Sequence, residues 1–365
     1  MLQTIIYFLR KFDWVLISCV MVLAVVGLSA IYSVDLSRGS QLIFFPTQLT
    51  AFLLGVTAVV VMTNFRPNFY KKYTKSFYLL SVILLIGVLF FGVTINATTG
   101  WYRIGGVSFQ PVELAKIGLI LMLAYRVSRT GRRFDKLEFF LSSGFLAFIP
   151  VSLVLLQPDL GSAFILFSIW FSFILATGVK KRYIATIVLV LVSSFLFGWF
   201  FLFKDYQKQR FTAFLNPQQN PLSSGYNLQQ SLIAIGSGGW TGRGLGLGTQ
   251  SQLKFLPAAH TDFVFSVIAE ELGFVGVMLV LVPFFILLWR LVEIAEKSSD
   301  EFGSYLAFGV AVFFLVQFFL NIGSTLGLVP ITGVTLPFVS YGGTSLLINF
   351  ILIGIVESVV AYDLV

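Results

Sequence analysis

The chain is poor in charge for its size. Only 11% of its 365 residues are Asp, Glu, Lys or Arg, while 57% are hydrophobic. A soluble globular protein carries about 25% charged residues, because its surface must be solvated. This shortage excludes a soluble protein, and the mean hydropathy of +0.93 indicates that the natural solvent is lipid.

Cysteine and histidine are also scarce, with one of each. Cys19 lies in an apolar run, so no disulfide framework exists, and Cys19 with His260 alone argues against a zinc or haem site. The 24 basic residues exceed the 16 acidic ones by eight. In a membrane protein this surplus reflects topology, because basic residues collect in cytoplasmic loops.

Ten apolar runs are long enough to cross the hydrocarbon, which takes about 20 helical residues. They lie near residues 13–33, 42–63, 77–95, 111–127, 139–157, 160–178, 183–203, 263–289, 303–326 and 337–361. The first run has no small-residue cleavage site, so we interpret it as a retained helix. We therefore expect an all-α, polytopic integral membrane protein with one transmembrane domain over residues 1–365.

Basic residues predict the orientation. With the N-terminus inside, sixteen of the 24 Lys and Arg residues fall in cytoplasmic segments and seven on the other side, with Lys116 inside a span. Five of those seven lie in one long loop, where the positive-inside rule is weak. Ten spans then return the C-terminus to the cytoplasm.

The long external segment, residues 204–262 between the seventh and eighth runs, is rich in Gln, Asn, Gly, Ser and Pro. Loops longer than about 15 residues are usually functional or disordered. Amphipathic pieces such as Tyr226–Ile235 predict order and membrane contact here. The stretch Gly242–Gly248 has no strand–helix unit around it, so it is not a dinucleotide fingerprint. Its backbone can instead bend closely around another part of the structure.

Ionisable residues inside a membrane are costly, so each needs a reason. Glu113 and Lys116 are three residues apart and can pair on one helix face. The pair could pin neighbouring helices, or it could form the polar floor of a substrate cavity in which Lys116 faces an anionic group. A buried ion pair is weak evidence of function, so the structural interpretation is favoured.

Asp262 precedes an apolar helix, Phe263–Ala269, at the external membrane surface. It could cap the helix, or it could act as a general base where a lipid-linked substrate can reach it. The two roles compete for the same oxygens. For Glu270 and Glu271, about two turns further in, a structural role is favoured. Arg103, in a short external loop, suits a pyrophosphate but could equally be a headgroup anchor.

The C-terminal part carries the most specific motif, residues 321–345, which read NIGSTLGLVPITGVTLPFVSYGGTS. Further blocks are found at residues 110–116, 157–162, 256–263 and 269–273. Together, and in order along nearly the whole chain, they resemble the shape, elongation, division and sporulation family of RodA and FtsW. Residues 11–14 and 248–253 are more similar to the RodA branch. Val112 departs from the family pattern, in which a serine usually precedes the glutamate.

The resemblance implies a peptidoglycan glycosyltransferase that polymerises lipid II at the outer face of the bacterial cytoplasmic membrane, for cell elongation and shape. Asp262 matches the family's essential aspartate. The candidate substrate-binding residues are Arg103, Glu113, Lys116, Arg210, Arg243, Lys254, Ser324 and Ser340. A divalent cation, Mg or Mn, is compatible with this chemistry, although no ligand cluster in the sequence requires one. The implied partner is a class B penicillin-binding protein, a transpeptidase.

Two other functions fit the coarse features. A flippase of lipid-linked precursors would also need many helices and a polar path, but its site should lie near the membrane midplane. A non-enzymatic scaffold for wall-synthesis proteins would leave the intramembrane charges unexplained. The polymerase is therefore the first hypothesis.

Overall fold

The structure is a computed structural model that describes residues 12–38, 42–95, 98–105, 107–131, 134, 136–203, 208 and 224–364. Its helices are α1 Trp14–Leu36, α2 Phe44–Thr63, α3 Pro67–Phe91, α4 Pro111–Thr130, α5 Leu137–Leu156, α6 Leu160–Ala176, α7 Lys181–Phe197, α8 Ser224–Ser237, α9 Thr249–Gln252, α10 Val264–Lys297, α11 Glu301–Thr325 and α12 Gly343–Val359. Helices α7 and α12 continue as π-helical turns, Gly198–Leu202 and Val360–Leu364.

The ten long helices among the described residues coincide with the ten predicted runs, which confirms the all-α membrane class. Eight of them are long and apolar enough to cross a membrane, namely α1, α2, α3, α5, α7, α10, α11 and α12. Helix α6 has only 17 residues, and α4 carries four charged residues. Both pack against α11, so their shortness or charge is accommodated inside the bundle.

A small antiparallel sheet follows α3, where the sequence predicted only a loop. Its strands are β1 Val93–Ile95, β2 Thr98–Ile104 and β3 Val107–Phe109, in the order β1-β2-β3. The register places Arg103 opposite Ser108. The all-α class still holds, because these short strands only connect two helices.

The last predicted run is wrong at its beginning. Residues 337–342 are not helical, and α12 starts at Gly343. Within the preceding irregular stretch, Gly327 and Gly333 adopt positive φ angles of 72° and 73°, which helices do not allow. Pro330 and Pro337 lack a backbone N–H donor. This stretch, residues 326–342, is called the signature segment below.

Helix α10 is broken at Gly273, where φ is 64° and ψ is −155°. Residues 239–244, which include the beginning of the glycine-rich stretch, cross the break and bond to both of its sides. The backbone bonds are Arg243 N to Glu270 O at 3.0 Å, Gly244 N to Glu271 O at 2.9 Å, Phe274 N to Gly239 O at 2.9 Å and Val275 N to Trp240 O at 3.2 Å. A Cβ on Gly242 would lie 2.1 Å from Glu271 O, so only glycine fits there. The glycine-rich backbone therefore bends around the break in α10, as the sequence predicted that it would bend around another part of the structure.

Two close contacts fix the helices on which the signature segment rests. Helix α2 packs against α12, and a Cβ on Gly55 would lie 2.4 Å from the Phe350 ring. Helix α1 packs against the signature segment, where a Cβ on Gly27 would meet the Val339 carbonyl at 2.5 Å. Glycines here let helices approach closely, as is usual in membrane bundles.

Contacts between helix ends define two ends of the bundle. Asp13 N, before α1, donates to Glu357 Oε2 near the end of α12 at 3.0 Å, and Thr344 Oγ1, at the start of α12, donates to the Ser108 carbonyl before α4 at 2.9 Å. One end is the Trp14 end, where an ion pair of 3.3 Å joins Lys71 at the start of α3 to Asp300 before α11. The other is the Asp262 end, which carries the strands, α8, α9 and the signature segment. We use these two names below.

Candidate active site

Asp262 lies in a tight turn immediately before α10. The turn includes Ala258 at a positive φ of 51°, and its carbonyl accepts from Thr261 N at 3.0 Å. The N-cap residue of α10 is Phe263, so Asp262 directly precedes the cap. Asp262 is partly exposed at the end of the bundle. Its position is therefore open to a ligand from outside.

Asn321 of α11 holds the backbone of this turn. Its Nδ2 donates to the Asp262 carbonyl at 3.1 Å and to the Val334 carbonyl at 2.8 Å. One amide thereby joins the turn before α10 to the signature segment. Asn321 itself is 1% exposed, so these bonds are shielded from water.

Ser340 of the signature segment makes a second connection to the turn. Its Oγ donates to the Thr261 carbonyl at 2.7 Å and accepts from Leu336 N at 2.9 Å. The next residue, Tyr341, donates from its backbone N to the His260 carbonyl at 2.8 Å. Three carbonyls in succession, those of residues 260, 261 and 262, are thus bonded to other segments.

Gln48 of α2 anchors the other side of Ser340. Its Nε2 donates to the Ser340 carbonyl at 3.1 Å, and its Oε1 accepts from Gly342 N at 3.1 Å. Gln48 is 1% exposed. The turn that carries Asp262 is therefore tied through the signature segment to α2 and α12.

The Asp262 carboxylate lies beside Gly333. A Cβ built on Gly333 would be 3.9 Å from Asp262 Oδ2. Because Gly333 has a positive φ of 73°, a side chain would be strained at this position. The glycine thus supports the turn of the signature segment next to the carboxylate without placing a side chain there.

Glu113 and Lys116 form the predicted ion pair. Lys116 Nζ lies 2.8 Å from Glu113 Oε1, and the two side chains are only 2% and 6% exposed. The ammonium is also 5.7 Å from the centre of the Phe313 ring. Glu113 Oε2 is buried without a hydrogen-bond partner among the described residues.

Polar groups continue from this pair toward Asp262 along α11. Phe313, Gln317 and Asn321 are spaced four residues apart, so they share one face of the helix over about 12 Å. Both amide atoms of Gln317 and Oδ1 of Asn321 are buried without partners in the part of the chain described. Thr332 Oγ1 and Asn349 Oδ1 are in the same situation.

Buried polar atoms are nearly always hydrogen-bonded, so unpaired ones require an explanation. Each of these unpaired atoms can form a hydrogen bond with a polar ligand or with water. We call Glu113, Lys116, Gln317, Asn321, Thr332 and Asn349 the polar cluster. Considering only ionisable residues misses four of its six members. The available signal was the presence of Gln317, Asn321 and Asn349 within apolar runs.

The predicted basic residues do not form one compact group. Arg103 is exposed on β2 opposite Ser108, and the Ser108 carbonyl accepts from Thr344 Oγ1 at 2.9 Å, at the start of α12. Arg243 is exposed at the Gly273 break and donates to Thr249 Oγ1 at 3.2 Å. Lys254 is exposed with a positive φ of 62°. Arg210 lies outside the described residues.

The two predicted serines have different surroundings. Ser324 Oγ donates at 2.8 Å to the Asn321 carbonyl of its own helix. Ser340 holds the Asp262 turn, as described above. A contact of either hydroxyl with substrate stays a prediction.

Glu270 and Glu271 hold the external segment in place. Glu270 accepts from Gln250 N at 2.8 Å and Ser251 N at 3.2 Å, at the start of α9. Glu271 accepts from Ser33 Oγ of α1 at 2.6 Å. The favoured structural role agrees with these bonds.

His260 stacks on Phe44, with ring centres 4.0 Å apart, and Arg38 covers the same ring at 4.5 Å. Burial lowers the pKa of His260 to about 4, with a further lowering from Arg38 and an opposing effect of Asp35. The imidazole next to the Asp262 turn is therefore neutral near pH 7 and offers no positive charge to a phosphate.

The described residues offer few side-chain ligands for a divalent cation. The described residues contain no group of three or more His, Cys, Asp or Glu side chains that could hold a metal. Asp262 alone would not be an adequate protein site for Mg or Mn. A cation stays a prediction, and no step proposed below depends on one.

A family model described as cell cycle protein, for FtsW, RodA and SpoVE, matches residues 8–363. The chain belongs to this family. It is 40% identical over 311 residues to peptidoglycan glycosyltransferase MrdB of Escherichia coli K12, covering 84% of this chain and 82% of that one. It is 35% identical over 365 residues to a probable peptidoglycan glycosyltransferase FtsW of Trichlorobacter lovleyi, covering 97% and 94%.

Solved structures agree with this assignment. The fold matches a chain described under the structural coordination of polymerization and crosslinking by a peptidoglycan synthase complex, with a TM-score of 0.80, 31% identity and coverage of 96% and 97%. It also matches the rod shape determining protein RodA of Thermus thermophilus, with a TM-score of 0.72, 29% identity and coverage of 96% of both chains. This FtsW/RodA/SpoVE family member is thus a multi-pass membrane protein.

Proposed function

We propose that this protein polymerises lipid II into glycan strands at the outer face of the bacterial cytoplasmic membrane, with Asp262 as the general base. Relatives of both the MrdB and FtsW kinds carry the name peptidoglycan glycosyltransferase. The observation that carries the proposal is the Asp262 turn, which is partly exposed while its backbone is bonded to buried residues.

In the proposed step, the Asp262 carboxylate takes the proton from the sugar 4-hydroxyl of the acceptor. The freed oxygen forms a bond to the anomeric carbon of the donor. The bond from that carbon to the pyrophosphate oxygen breaks, with inversion, and undecaprenyl pyrophosphate leaves with the electron pair. A positioned general base contributes about 100- to 10,000-fold to such a rate, so leaving-group stabilisation must supply more.

The fixed backbone supports this role. A catalytic group misplaced by about 1 Å can lose a hundredfold in rate, so a base needs a rigid support. The Asp262 turn has this support from Asn321 and Ser340. Arg103, Arg243 and Lys254 lie at the same end and are the candidates for the departing pyrophosphate.

The polar cluster offers buried hydrogen-bonding groups, and one of its members, Asn321, contacts the Asp262 turn. Its unpaired atoms suit the hydroxyl and amide groups of a sugar better than an alkyl chain. Lys116 can add positive charge, although Glu113 balances most of it. This arrangement favours the substrate-cavity interpretation of the ion pair over a purely structural one.

The proposed topology has both termini in the cytoplasm and the Asp262 end outside. The proposed partner is a class B penicillin-binding protein, because the fold matches a chain from a peptidoglycan synthase complex. A flippase is supported less well, since its site should lie near the midplane, whereas Asp262 lies at one end. A scaffold would not need the unpaired buried amides.

The test is glycan polymerisation by purified protein and lipid II, with and without the transpeptidase. Asp262→Asn keeps the size of the side chain but removes its basicity. The rate of polymer formation should therefore fall by at least about 100-fold, while the protein still folds. The matched control is Asp159→Asn at the same end, which changes a carboxylate that caps α6 by accepting from Ser162 N at 2.9 Å.

Polymerisation by folded Asp262→Asn at the wild-type rate would exclude Asp262 as the base. If the wild type makes no polymer even with the transpeptidase, yet moves lipid II across vesicle membranes, the flippase becomes the better explanation.

A further inference from the structure

A groove of about 450 Å³ opens between α3, α4 and α5, at the Trp14 end of the bundle and not at the Asp262 end. Its lining residues are Lys75, Met122, Tyr125, Arg126, Arg129, Ser142, Phe145 and Leu146. We call it the Tyr125 groove. We propose that it binds an anionic phospholipid, with the phosphate at its basic part and an acyl chain along its apolar part.

Three cations converge on one ring and one hydroxyl. Lys75 Nζ lies 5.8 Å and the Arg129 guanidinium 5.4 Å from the centre of the Tyr125 ring. Arg126 donates to Ser142 Oγ from Nε at 3.1 Å and from Nη2 at 2.9 Å. Cations from two different helices thus face a common space.

These positive charges are poorly neutralised. Within the described residues, the lining contains three cations and no carboxylate. Glu138 Oε1 lies 3.8 Å from Arg126 Nη2, and the Glu138 side chain is 83% exposed. Such an exposed pair contributes little. The basic part of the groove therefore favours an anion.

The groove becomes apolar with depth. Arg129 is one residue from the end of α4, whereas Met122 lies seven residues further into the bundle, about 10 Å along the helix. On α5, Ser142 precedes Phe145 and Leu146, which lie deeper from its start at the same end. Phe145 is 64% exposed in a helix that is apolar enough to span a membrane.

This gradient points to a lipid rather than a soluble phosphate. The cations lie near the ends of their helices, at the Trp14 end, where headgroups are found, and the exposed apolar surface continues toward the hydrocarbon. Basic pockets between transmembrane helices are known to bind anionic headgroups. A soluble anion would use the cations but would gain nothing from Met122, Phe145 and Leu146.

The experiment measures retention of phosphatidylglycerol by the full-length protein, using native mass spectrometry in detergent with excess phosphatidylcholine. The groove variant is Lys75→Gln/Arg126→Gln/Arg129→Gln. The matched control, Lys72→Gln/Lys181→Gln/Arg182→Gln, removes the same charge from exposed residues at the same end. Thermal unfolding in phosphatidylcholine nanodiscs identifies which variants are folded. If the triple variant does not fold, Arg129→Gln, at the exposed end of α4, replaces it and is compared with Lys181→Gln, which should leave retention nearly unchanged.

We expect the wild type to retain phosphatidylglycerol over phosphatidylcholine. Each lost cation should weaken retention about five-fold, and the groove triple variant about 100-fold, against at most about five-fold for the control. Equal losses in the two triple variants would overturn the proposal, since they would indicate general attraction. Displacement of the lipid by an equal concentration of glycerol phosphate would also overturn it, in favour of a soluble anion.

Discussion

Asn321 provides the sharpest test of how the site is held. Replacement by Leu keeps most of the volume but removes both bonds from Nδ2, to the carbonyls of Asp262 and Val334. Leaving the buried Val334 carbonyl unpaired costs about 1–3 kcal/mol, and leaving the partly buried Asp262 carbonyl unpaired costs less, because water can reach it. The change also removes Oδ1, which is buried without a partner in the described structure. That removal offsets part of the loss, so the net cost should be about 2 kcal/mol.

The stability loss should appear mainly at the Asp262 turn. Because Asp262 would keep its carboxylate but lose its fixed position, we expect the catalytic rate to fall about 30- to 100-fold. The assay is polymer formation as a function of lipid II concentration, with thermal unfolding measured in parallel.

The matched control is Thr325→Val, four residues along α11. Among the described residues, Thr325 Oγ1 bonds only to the carbonyl of Ile322 in its own helix, at 2.7 Å, so its loss should leave the turn intact. If folded Asn321→Leu polymerises as fast as the wild type, the idea that this amide positions Asp262 is wrong. A similar rate loss in Thr325→Val would show that any polar change in α11 has this effect.

Three further predictions concern stability. Gly273→Ala should lower the free energy of unfolding by about 3 kcal/mol or more, because Gly273 has a positive φ. The control Gly236→Ala, with open space around the glycine, should be neutral or slightly stabilising in the same thermal unfolding experiment. Equal effects of the two changes would contradict the strain argument. Burial holds the pKa of His260 at about 4, below the usual histidine value of 6.5, so the unfolded chain binds an extra proton between these pH values. The wild type should therefore lose stability as the pH falls from 6.5 to about 4, and His260→Phe should lose less over the same pH scan. Glu113→Gln should destabilise by about 3–5 kcal/mol by leaving Lys116 unpaired. Glu113→Gln/Lys116→Met should restore stability; restored polymerisation as well would show that the pair is only structural.

The bundle could be predicted from the sequence because length and hydropathy alone define a membrane helix. The first run shows this, since residues 13–33 became Trp14–Leu36. The strands around Arg103 could not be predicted in this way. Their pairing depends on cross-strand contacts and not on a long apolar run. The start of α12 was placed too early because Phe338 and Val339 raise the local hydropathy without forming a helix.

The charged residues of the candidate site could be predicted from the sequence. The adjacency of Glu113 and Lys116 follows from helical spacing, and the position of Asp262 at the membrane surface follows from the order of runs. The partners of Asp262 did not follow, because Asn321 and Ser340 are neutral and 59 and 78 residues away. Their contact requires the signature segment to leave the helix and return to the turn, which no local pattern specifies.

The break at Gly273 has a consequence for how the chain is assembled during synthesis. In lipid, a break in a helix would leave backbone groups unpaired at a cost of several kcal/mol each. Here residues 239–244 satisfy those groups, and they leave the ribosome before α10 does. We therefore expect the glycine-rich stretch to be in place when α10 enters the membrane. An insertion there should lower the yield of correctly integrated protein even if every catalytic residue is present.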